Sequence, residues 1–392
     1  MDDKCDQKNT PNITSIFQKL SSELGSHSPT SQTLIKLFPE LKIRVDACFP
    51  INPYAMRLFY RYLQQDLIET DQLIKVIRSY PSQNQELAKL VARRIDIPAE
   101  WIFLGNGATE IIQGILNRFV ERKILINLPT FSPYYEFLTS SIELKTNILR
   151  KNEEFRLNIN RLITQVNTEQ VDTVVLINPN NPDGNFLKLS QIENILENLR
   201  QVKTVIIDES FIHFACPAGD SPLEVSALRL INEFKNIIII KSMSKDYGIP
   251  GIRIGYAILK PEYRRDLLKV GYLWNVSGLA GYFLQLYNRN DYFYEYEKMR
   301  CKYIKEIAKF FAKLKEIPTV KVYNSRANFV LIELLNEMSS MEITERLLFD
   351  YGVYVRNCNN KWGLNGEFIR IAAGTHKENE IVFSALQSVL NE

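Results

Sequence analysis

Residues 237–256 read IIIIKSMSKDYGIPGIRIGY, so that Lys245 follows a run of isoleucines and two serines. A lysine near a second cation in a shielded pocket has a lowered pKa, and its neutral amine can attack an aldehyde. Arg253 supplies that cation, while Ser242 and Ser244 supply hydroxyl donors. The segment is therefore a candidate amine nucleophile, although a lysine extending to the surface beside a glycine-rich loop would have the same sequence.

A carboxylate and an amide follow two further apolar runs. Asp208 comes directly after VII at residues 205–207, where a buried carboxylate is costly unless a cation faces it. That cation is either an internal arginine or lysine, or the protonated nitrogen of a bound ring. Asn181 lies in INPNNPDG, residues 177–184, which follows another apolar run in the sequence. Its amide could donate to a ring oxygen, but an ordinary turn built on Asn-Pro steps would have the same sequence.

A glycine turn, LGNGATEI at residues 104–111, leads into an apolar helical pattern. Glycines let the backbone approach an anion, and the free N–H groups at a helix start favour phosphate. The turn is not a dinucleotide-binding fingerprint, because Glu110 occupies the place of the third glycine. The turn is therefore a candidate phosphate site, with a tight turn and a capped helix that bind no ligand as the alternative.

A parallel sheet would bring these segments together. Short β-branched runs alternate with helical patterns through the middle of the chain, as they do in βα units. Strands are predicted at residues 123–128, 173–177, 204–207 and 237–240, and helices at residues 85–95 and 189–199. Because the carboxyl ends of parallel strands meet at one edge, the residues that follow them are expected to share a ligand site.

The two ends of the chain lack the alternating strand and helix pattern of the middle. A tyrosine-rich helical pattern runs from residue 279 to residue 314, with Pro318 as its stop signal, and strand-like pieces follow at residues 328–331, 353–355 and 368–372. Three regions are predicted from these changes: an N-terminal arm with part of a small domain at residues 1–60, a large ligand-binding domain at residues 61–280, and a C-terminal small α+β domain at residues 281–392.

Composition argues against several classes of function. The 392 residues are 45% hydrophobic and 24% charged, and a net charge of +3 is too small to favour nucleic acid or an acidic membrane. Three scattered histidines make a histidine metal site or a Ser-His-Asp triad a poor fit. Five unclustered cysteines, the absence of a membrane-length apolar run and a charged N-terminus without a signal sequence predict a cytoplasmic protein.

One ligand satisfies all four candidate sites. The glycine turn requires an anion, Asn181 a ring oxygen, Asp208 a ring nitrogen cation and Lys245 an aldehyde. Pyridoxal 5'-phosphate carries these four groups, and a protonated ring nitrogen allows its ring to act as an electron sink. The sequence therefore predicts a pyridoxal-phosphate enzyme.

The chain also resembles the aminotransferase class I and II family of fold-type I pyridoxal-phosphate enzymes. The resemblance covers residues 80–370 and rests on YP, GNGATE, PTF, NPNNPDG, DE, and SxSK followed by GxxGxRxGY. It implies an α/β fold in which a large domain has a mostly parallel seven-stranded sheet and a smaller domain is α+β. A homodimer with shared active sites is implied as well.

The resemblance assigns roles to individual residues. Lys245 would be the Schiff-base lysine, Asp208 the partner of the ring nitrogen, and Asn181 the donor to ring oxygen O3'. The implied cofactor-binding set is Gly107, Ala108, Thr109, Phe131, Asn181, Asp208, Ser242, Ser244, Lys245, Arg253 and Tyr80. In that set Phe131 would stack on the ring, with Tyr134 as the second candidate, and Tyr80 would reach the phosphate of the other subunit.

Four residues form the candidate substrate-binding set: Asn52, Arg326, Arg356 and Arg370. By resemblance Arg370 would hold the substrate α-carboxylate through a two-pronged contact. The residues alone leave open which arginine takes a substrate phosphate and which takes a carboxylate.

Two subfamilies share this pattern. Histidinol-phosphate aminotransferases share the YP, SxSK and RIxxGT segments. Threonine-phosphate decarboxylases of cobamide (vitamin B12-type) synthesis share GNGATE, Phe211 in place of a tyrosine, IPGIRIGY, WNVS, SRANFVL and VRNC. The favoured hypothesis is decarboxylation of L-threonine O-3-phosphate or L-serine O-phosphate to aminopropanol phosphate or ethanolamine phosphate, the linker of a cobamide nucleotide loop.

Two features depart from the decarboxylase pattern. The chain lacks the N-terminal His-Gly-Gly segment that helps such relatives bind the substrate phosphate, and His27 stands in a different context, LGSHSPT. The RIAAGT segment is closer to histidinol-phosphate aminotransferases, which remain the alternative. A non-catalytic regulator that binds protein or DNA is disfavoured by the intact Lys245, Asp208 and Asn181.

Overall fold

Seven strands form the main sheet of the computed structural model, which describes Leu20 and residues 27–269, 271–272 and 275–391. They are β2 (Ile102–Gly105), β3 (Lys123–Leu128), β4 (Glu143–Ile148), β5 (Thr173–Ile177), β6 (Thr204–Asp208), β7 (Ile237–Ser242) and β8 (Gly255–Ile258). Their spatial order is β2-β8-β7-β6-β5-β3-β4. Neighbouring strands are parallel except in the two pairs that β8 makes, which confirms the predicted mostly parallel seven-stranded sheet.

The central strands are buried along their whole length, because helices cover both faces of the sheet. Asp208 aligns with Ile177 of β5 and with Ile240 of β7. This register brings the segments that follow β5, β6 and β7 to one edge of the sheet, as the sequence predicted. All four strands predicted from the apolar runs are confirmed.

Helices pack on both faces of the sheet and around the smaller domain. In chain order they are α1 (Ser31–Leu37), α2 (Pro53–Leu63), α3 (Gln72–Arg78), α4 (Asn84–Ile95), α5 (Ala108–Phe119), α6 (Pro133–Glu136), α7 (Ile159–Glu169), α8 (Leu189–Asn198), α9 (Ile212–Ala215), α10 (Pro261–Lys269), α11 (Gly278–Asn288), α12 (Asn290–Leu314), α13 (Ser340–Phe349) and α14 (His376–Asn391). Residues of α4, α8 and α11 share one apolar core on the sheet, while those of α5 and α10 belong to a second core.

A second, antiparallel sheet lies in the C-terminal part of the chain. Its strands are β9 (Val320–Val322), β10 (Phe329–Leu334), β12 (Arg356–Asn357) and β13 (Phe368–Ala372), in the order β12-β13-β10-β9. Residues of β9, β10 and β13 share an apolar core with α13 and α14. The short strand β1 (Val45–Asp46) pairs in parallel with β11 (Val353–Tyr354), which ties the N-terminal segment to this part of the molecule. The domain boundaries at residues 60 and 280 stay predictions.

The single long helix predicted at residues 279–314 is wrong. Arg289 has an extended backbone that separates α11 from α12. Asparagines flank it on both sides, and their side chains favour helix ends over helix interiors. Tyr292 and Tyr296, at the start of α12, belong to the core of the large sheet, whereas its later residues belong to the small-domain core. The helix therefore connects the two parts of the molecule.

Some sequence-based expectations concern residues outside the described ranges. Cys5, the charged N-terminal decapeptide and Trp274 of the WNVS segment all lie there. Within the described ranges, Cys48, Cys216, Cys301 and Cys358 are free thiols. The described helices include none with the length and apolar character needed to cross a membrane.

Candidate active site

A cavity of about 330 Å³ opens at the carboxyl ends of β5, β6 and β7. The N-terminal segment and the loop after β12 close its other side. Eleven of the residues predicted for the cofactor and the substrate line it: Ala108, Thr109, Phe131, Asn181, Asp208, Ser242, Ser244, Lys245, Arg253, Arg356 and Arg370. The structure thus brings most of the predicted site together, although these residues come from distant parts of the sequence.

Lys245 follows β7 and is fixed through its own backbone. Its carbonyl oxygen accepts a hydrogen bond from the Asn52 N–H at 3.0 Å. Burial lowers the pKa of Lys245 to about 8, and the positive charges of Arg370 and Arg253 add to that effect. The sequence anticipated the contribution of Arg253 but not that of Arg370. A lowered pKa makes the neutral, nucleophilic amine available near neutral pH.

Asp208 ends β6 with a buried carboxylate that two donors hold in place. The Ser210 N–H donates to Oδ1 at 2.9 Å, and the Tyr134 hydroxyl donates to Oδ2 at 2.9 Å. Burial raises the pKa of Asp208, so the carboxylate gains from a cation in the cavity. Tyr134 is fully buried and does not line the cavity. Of the two aromatic candidates, only Phe131 lines the cavity.

Asn181 and Arg370 form a contact that fixes the orientation of the amide. Arg370 Nη1 donates to Asn181 Oδ1 at 2.7 Å, and its Nη2 donates to the Cys48 carbonyl oxygen at 2.7 Å. Because Oδ1 must face the guanidinium, the Nδ2 group of Asn181 is the donor left for a ligand. Phe211, which packs edge-on against Phe329 at 5.0 Å, lines the same cavity and brings no hydroxyl to it.

The glycine turn and the loop after β7 form an anion cradle. Gly107 has a φ of +82°, and a Cβ atom there would lie 2.3 Å from Arg253 Nη2, so only glycine fits. Helix α5 begins at the next residue, with its free N–H groups at the cavity. Ser244 Oγ is buried and has no hydrogen-bond partner among the described residues. An unsatisfied hydroxyl, a helix start and an arginine together fit the phosphate of pyridoxal phosphate.

The opposite end of the cavity is also cationic. Arg356 Nη1 donates to Ser28 Oγ at 2.8 Å, and Nη2 donates to Asn360 Oδ1 at 2.7 Å. Lys361 and His27 also line the cavity, and His27 Nε2 lies 2.9 Å from Glu136 Oε2. Neither residue belongs to the predicted substrate-binding set. No motif marks Lys361, because it lies in an irregular turn whose position is decided by tertiary contacts.

Four predicted residues are not part of the cavity lining: Gly107, in the turn described above, and Asn52, Arg326 and Tyr80. Asn52 is buried, and its Oδ1 accepts from the N–H groups of Tyr54 and Ala55 at the start of α2. Arg326 is exposed, and its Nη2 donates to the Ala215 carbonyl oxygen at 2.8 Å. Tyr80 follows α3 and is 83% exposed. Within the described residues, no cluster of His, Cys, Asp or Glu could hold a metal ion.

The fold and this cavity define a class of protein. The model of the family "Aminotransferase class I and II" matches residues 65–386. The chain belongs to this family, and its fold is the fold-type I fold of pyridoxal-phosphate enzymes. Its cofactor is pyridoxal 5'-phosphate, consistent with the anion cradle, the buried Asp208 and the Lys245 amine.

Individual relatives within the family are similar to most of the chain. The chain is 49% identical over 381 residues to an L-serine phosphate decarboxylase of Campylobacter jejuni, covering 97% of each chain. The solved structure of a decarboxylase from Sulfurospirillum multivorans has a TM-score of 0.91 at 42% identity, with 96% of each chain covered. A histidinol-phosphate aminotransferase of Methanococcus aeolicus is 30% identical over 322 residues, covering 80% of this chain and 83% of the relative.

Proposed function

We propose that the chain decarboxylates a phosphorylated amino acid, L-serine O-phosphate or L-threonine O-3-phosphate, to ethanolamine phosphate or aminopropanol phosphate. The observation that carries the proposal is the 49% identity, over nearly the whole of both chains, to an L-serine phosphate decarboxylase. The cavity supports it with arginines at two places, one for a carboxylate and one for a phosphate. By resemblance, the product would supply the linker of a cobamide nucleotide loop.

The proposed reaction gives each of these cavity residues a separate role. Bound pyridoxal phosphate supplies an electron sink for the pair released when the bond from the α-carbon to the carboxylate breaks. Asp208 would face the ring nitrogen with a negative charge, and Asn181 Nδ2 would donate to the ring oxygen. Lys245 would hold the cofactor through its aldehyde group and would deliver a proton to the substrate α-carbon. Arg370 would orient the substrate carboxylate beside Asn181.

The aminotransferase alternative is less well supported. A histidinol-phosphate aminotransferase shares fewer identical residues with the chain than the decarboxylase does, 30% against 49%. Phe211 adds a chemical difference, because a tyrosine hydroxyl at this position would donate to the ring oxygen and lower the pKa of the lysine adduct. With phenylalanine there, Asn181 is the side-chain donor to that oxygen, which is compatible with a different reaction outcome.

A cytoplasmic homodimer with shared active sites belongs to the same proposal. Helix α3 has no buried residue, and Ile74 and Ile77 are 63% and 71% exposed. Tyr80 follows on the same surface. Burial of these side chains against a second copy would remove an apolar patch from water and carry Tyr80 to the partner's cofactor phosphate. The unpaired cysteines favour a reducing compartment.

One assay tests the reaction directly. The purified holoenzyme is incubated with L-serine O-phosphate, L-threonine O-3-phosphate, and histidinol phosphate with 2-oxoglutarate, while CO2 and glutamate are measured. We expect CO2 from a phospho-amino acid and no glutamate from histidinol phosphate. Amino transfer from histidinol phosphate without CO2 release from either phospho-amino acid would overturn the proposal.

A further inference from the structure

We infer that Lys361 and Arg356 together bind the phosphate group of the substrate, which leaves Arg370 for the carboxylate. The inference rests on the proposed function for the identity of the substrate but on the cavity itself for the site. Neither the motifs nor the relatives' names point to Lys361. Its position in the fold does.

Lys361 is a buried cation held in the cavity wall. The residue is only 6% exposed, and it lines the cavity. A buried ammonium without a partner is costly. Burial, followed by the charge of Arg356, lowers the pKa of Lys361 to about 7. An anionic group in the cavity would remove this cost and restore the charged form.

The turn that carries Lys361 is clamped onto the large domain. The next residue, Trp362, stacks on Tyr135 of α6 with ring centroids 4.6 Å apart and planes 6° from parallel. At Gly363, with a φ of +88°, a Cβ atom would lie 2.9 Å from the backbone of Leu128 and Pro129. These contacts sit directly beside Lys361 in sequence, so the lysine is fixed by stacking and close packing rather than left on a mobile loop.

Arg356 belongs to the same turn through a side-chain contact. Its Nη2 donates to Asn360 Oδ1 at 2.7 Å, which ties the guanidinium to the residue just before Lys361. Two cations are thus held by one short segment at the end of the cavity opposite the anion cradle. Arg370 is placed differently, because its guanidinium contacts Asn181, the predicted donor to the ring oxygen.

The charges that line the cavity are consistent with separate sites for the cofactor phosphate, the substrate phosphate and the substrate carboxylate. Its described lining contains five lysines and arginines, Lys245, Arg253, Arg356, Lys361 and Arg370, against one acid, Asp208. A phosphate monoester carries about −1.5 to −2 charges at neutral pH. Arg253 with neutral donors serves the cofactor phosphate, and Arg370 serves the carboxylate. The Lys361–Arg356 pair then matches a second phosphate dianion, a group that an unphosphorylated amino acid lacks.

The binding test uses inorganic phosphate and the holoenzyme, in which the cofactor already fills the anion cradle. Calorimetric titration compares the parent with Lys361→Met, Lys361→Arg and the control Lys309→Met, whose side chain is 73% exposed. We expect Lys361→Met to weaken phosphate binding by roughly tenfold to a hundredfold, Lys361→Arg to retain most of it and the control to match the parent. Parent-like phosphate binding by Lys361→Met would overturn the inference.

Steady-state kinetics distinguish a failure of the phosphate subsite from a failure of the proposed reaction. With L-serine O-phosphate, we expect Lys361→Met to raise KM by a similar factor while kcat at saturation changes by less than about threefold. If the parent releases no CO2 but Lys361→Met loses phosphate binding, the subsite stands and the proposed reaction fails. If the parent decarboxylates and Lys361→Met keeps both KM and phosphate affinity, only the subsite fails.

A pH comparison covers the case in which Lys361→Met does not fold. The titratable groups that act on Lys361 are Arg356 and Arg370, which lower its pKa, and Cys358 and Glu136, which oppose them. Since a lysine loses its charge as pH rises past its pKa whereas an arginine does not, phosphate affinity should fall more between pH 6.5 and 8.5 in the parent than in Lys361→Arg. Equal losses of affinity in the two proteins would contradict the inference.

Discussion

The two ends of the cavity are built in different ways. The cofactor end comes from turns that directly follow β2, β5, β6 and β7, and each turn carries its functional residue in a recognisable motif. The substrate end comes from residues 27–50, before the large sheet begins, and from Arg356, Lys361 and Arg370, after it ends. One end is local to the sheet, whereas the other exists only where two distant parts of the chain meet.

The two ends should therefore respond differently to substitution. Cofactor residues are fixed by strands that are buried on both faces, so their positions follow from the sheet register. Substrate residues depend on how the small domain and the N-terminal segment lie against that sheet. Changes at the cofactor end should therefore alter the chemical step, while changes at the substrate end should mainly alter affinity.

The largest effect is expected for Lys245→Ala, at the cofactor end. Loss of the amine removes both the bond to the cofactor and the proton donor, so kcat should fall by roughly 10⁴-fold or more. CO2 release gives the rate, and borohydride reduction followed by peptide mapping shows whether a covalent adduct forms. A reducible adduct at the native site in this variant would refute the role of Lys245.

Asp208→Asn is expected to have the next largest effect. The amide keeps the size of the side chain but removes the charge that faces the ring nitrogen, so kcat should fall by roughly 10²–10³-fold. KM should change far less, as measured by steady-state decarboxylation. The exposed Asp220→Asn is the matched control and should behave as the parent does. An unchanged kcat in Asp208→Asn would break the assignment of the cofactor end.

Arg370→Lys examines the substrate end. The single ammonium nitrogen of a lysine cannot keep the contacts to Asn181 and the Cys48 carbonyl oxygen and also make a two-pronged contact to a carboxylate, as the planar guanidinium can. KM should rise by roughly tenfold to a hundredfold, while the absorbance of the bound cofactor is retained. If this variant instead lost its cofactor with KM unaltered, the division between the two ends would not hold at Arg370.

Tyr134→Phe should have the smallest effect. It removes one of two donors to the buried carboxylate of Asp208, so the free energy of unfolding should fall by about 1 kcal/mol. Denaturant unfolding of the holoenzyme measures that change. Tyr294→Phe, at a 64% exposed position, is the control. A stability equal to that of the parent would show that Ser210 alone satisfies Asp208.

Sequence patterns predicted four strands of the large sheet but did not predict the helix break at Arg289 or the contact of Tyr134. The apolar runs gave β3, β5, β6 and β7, because strands buried on both faces have few alternatives in sequence. The break at Arg289 was missed, since the tyrosine-rich helical pattern continues through it. The sequence makes Tyr134 a candidate for ring stacking, whereas the structure shows that its hydroxyl donates to Asp208.

The cofactor could be predicted from the amino-acid sequence, because the segments of Gly107, Asn181, Asp208 and Lys245 follow apolar strands and together require the four groups of one ligand. No motif predicts that Arg370 contacts Asn181 or that Lys361 is buried beside Arg356, and both are seen only in the folded chain. The physical reason is the range of the interactions. Hydrogen bonding along a strand and its turn is encoded within a few neighbouring residues, whereas the burial of a charge depends on every segment that packs around it.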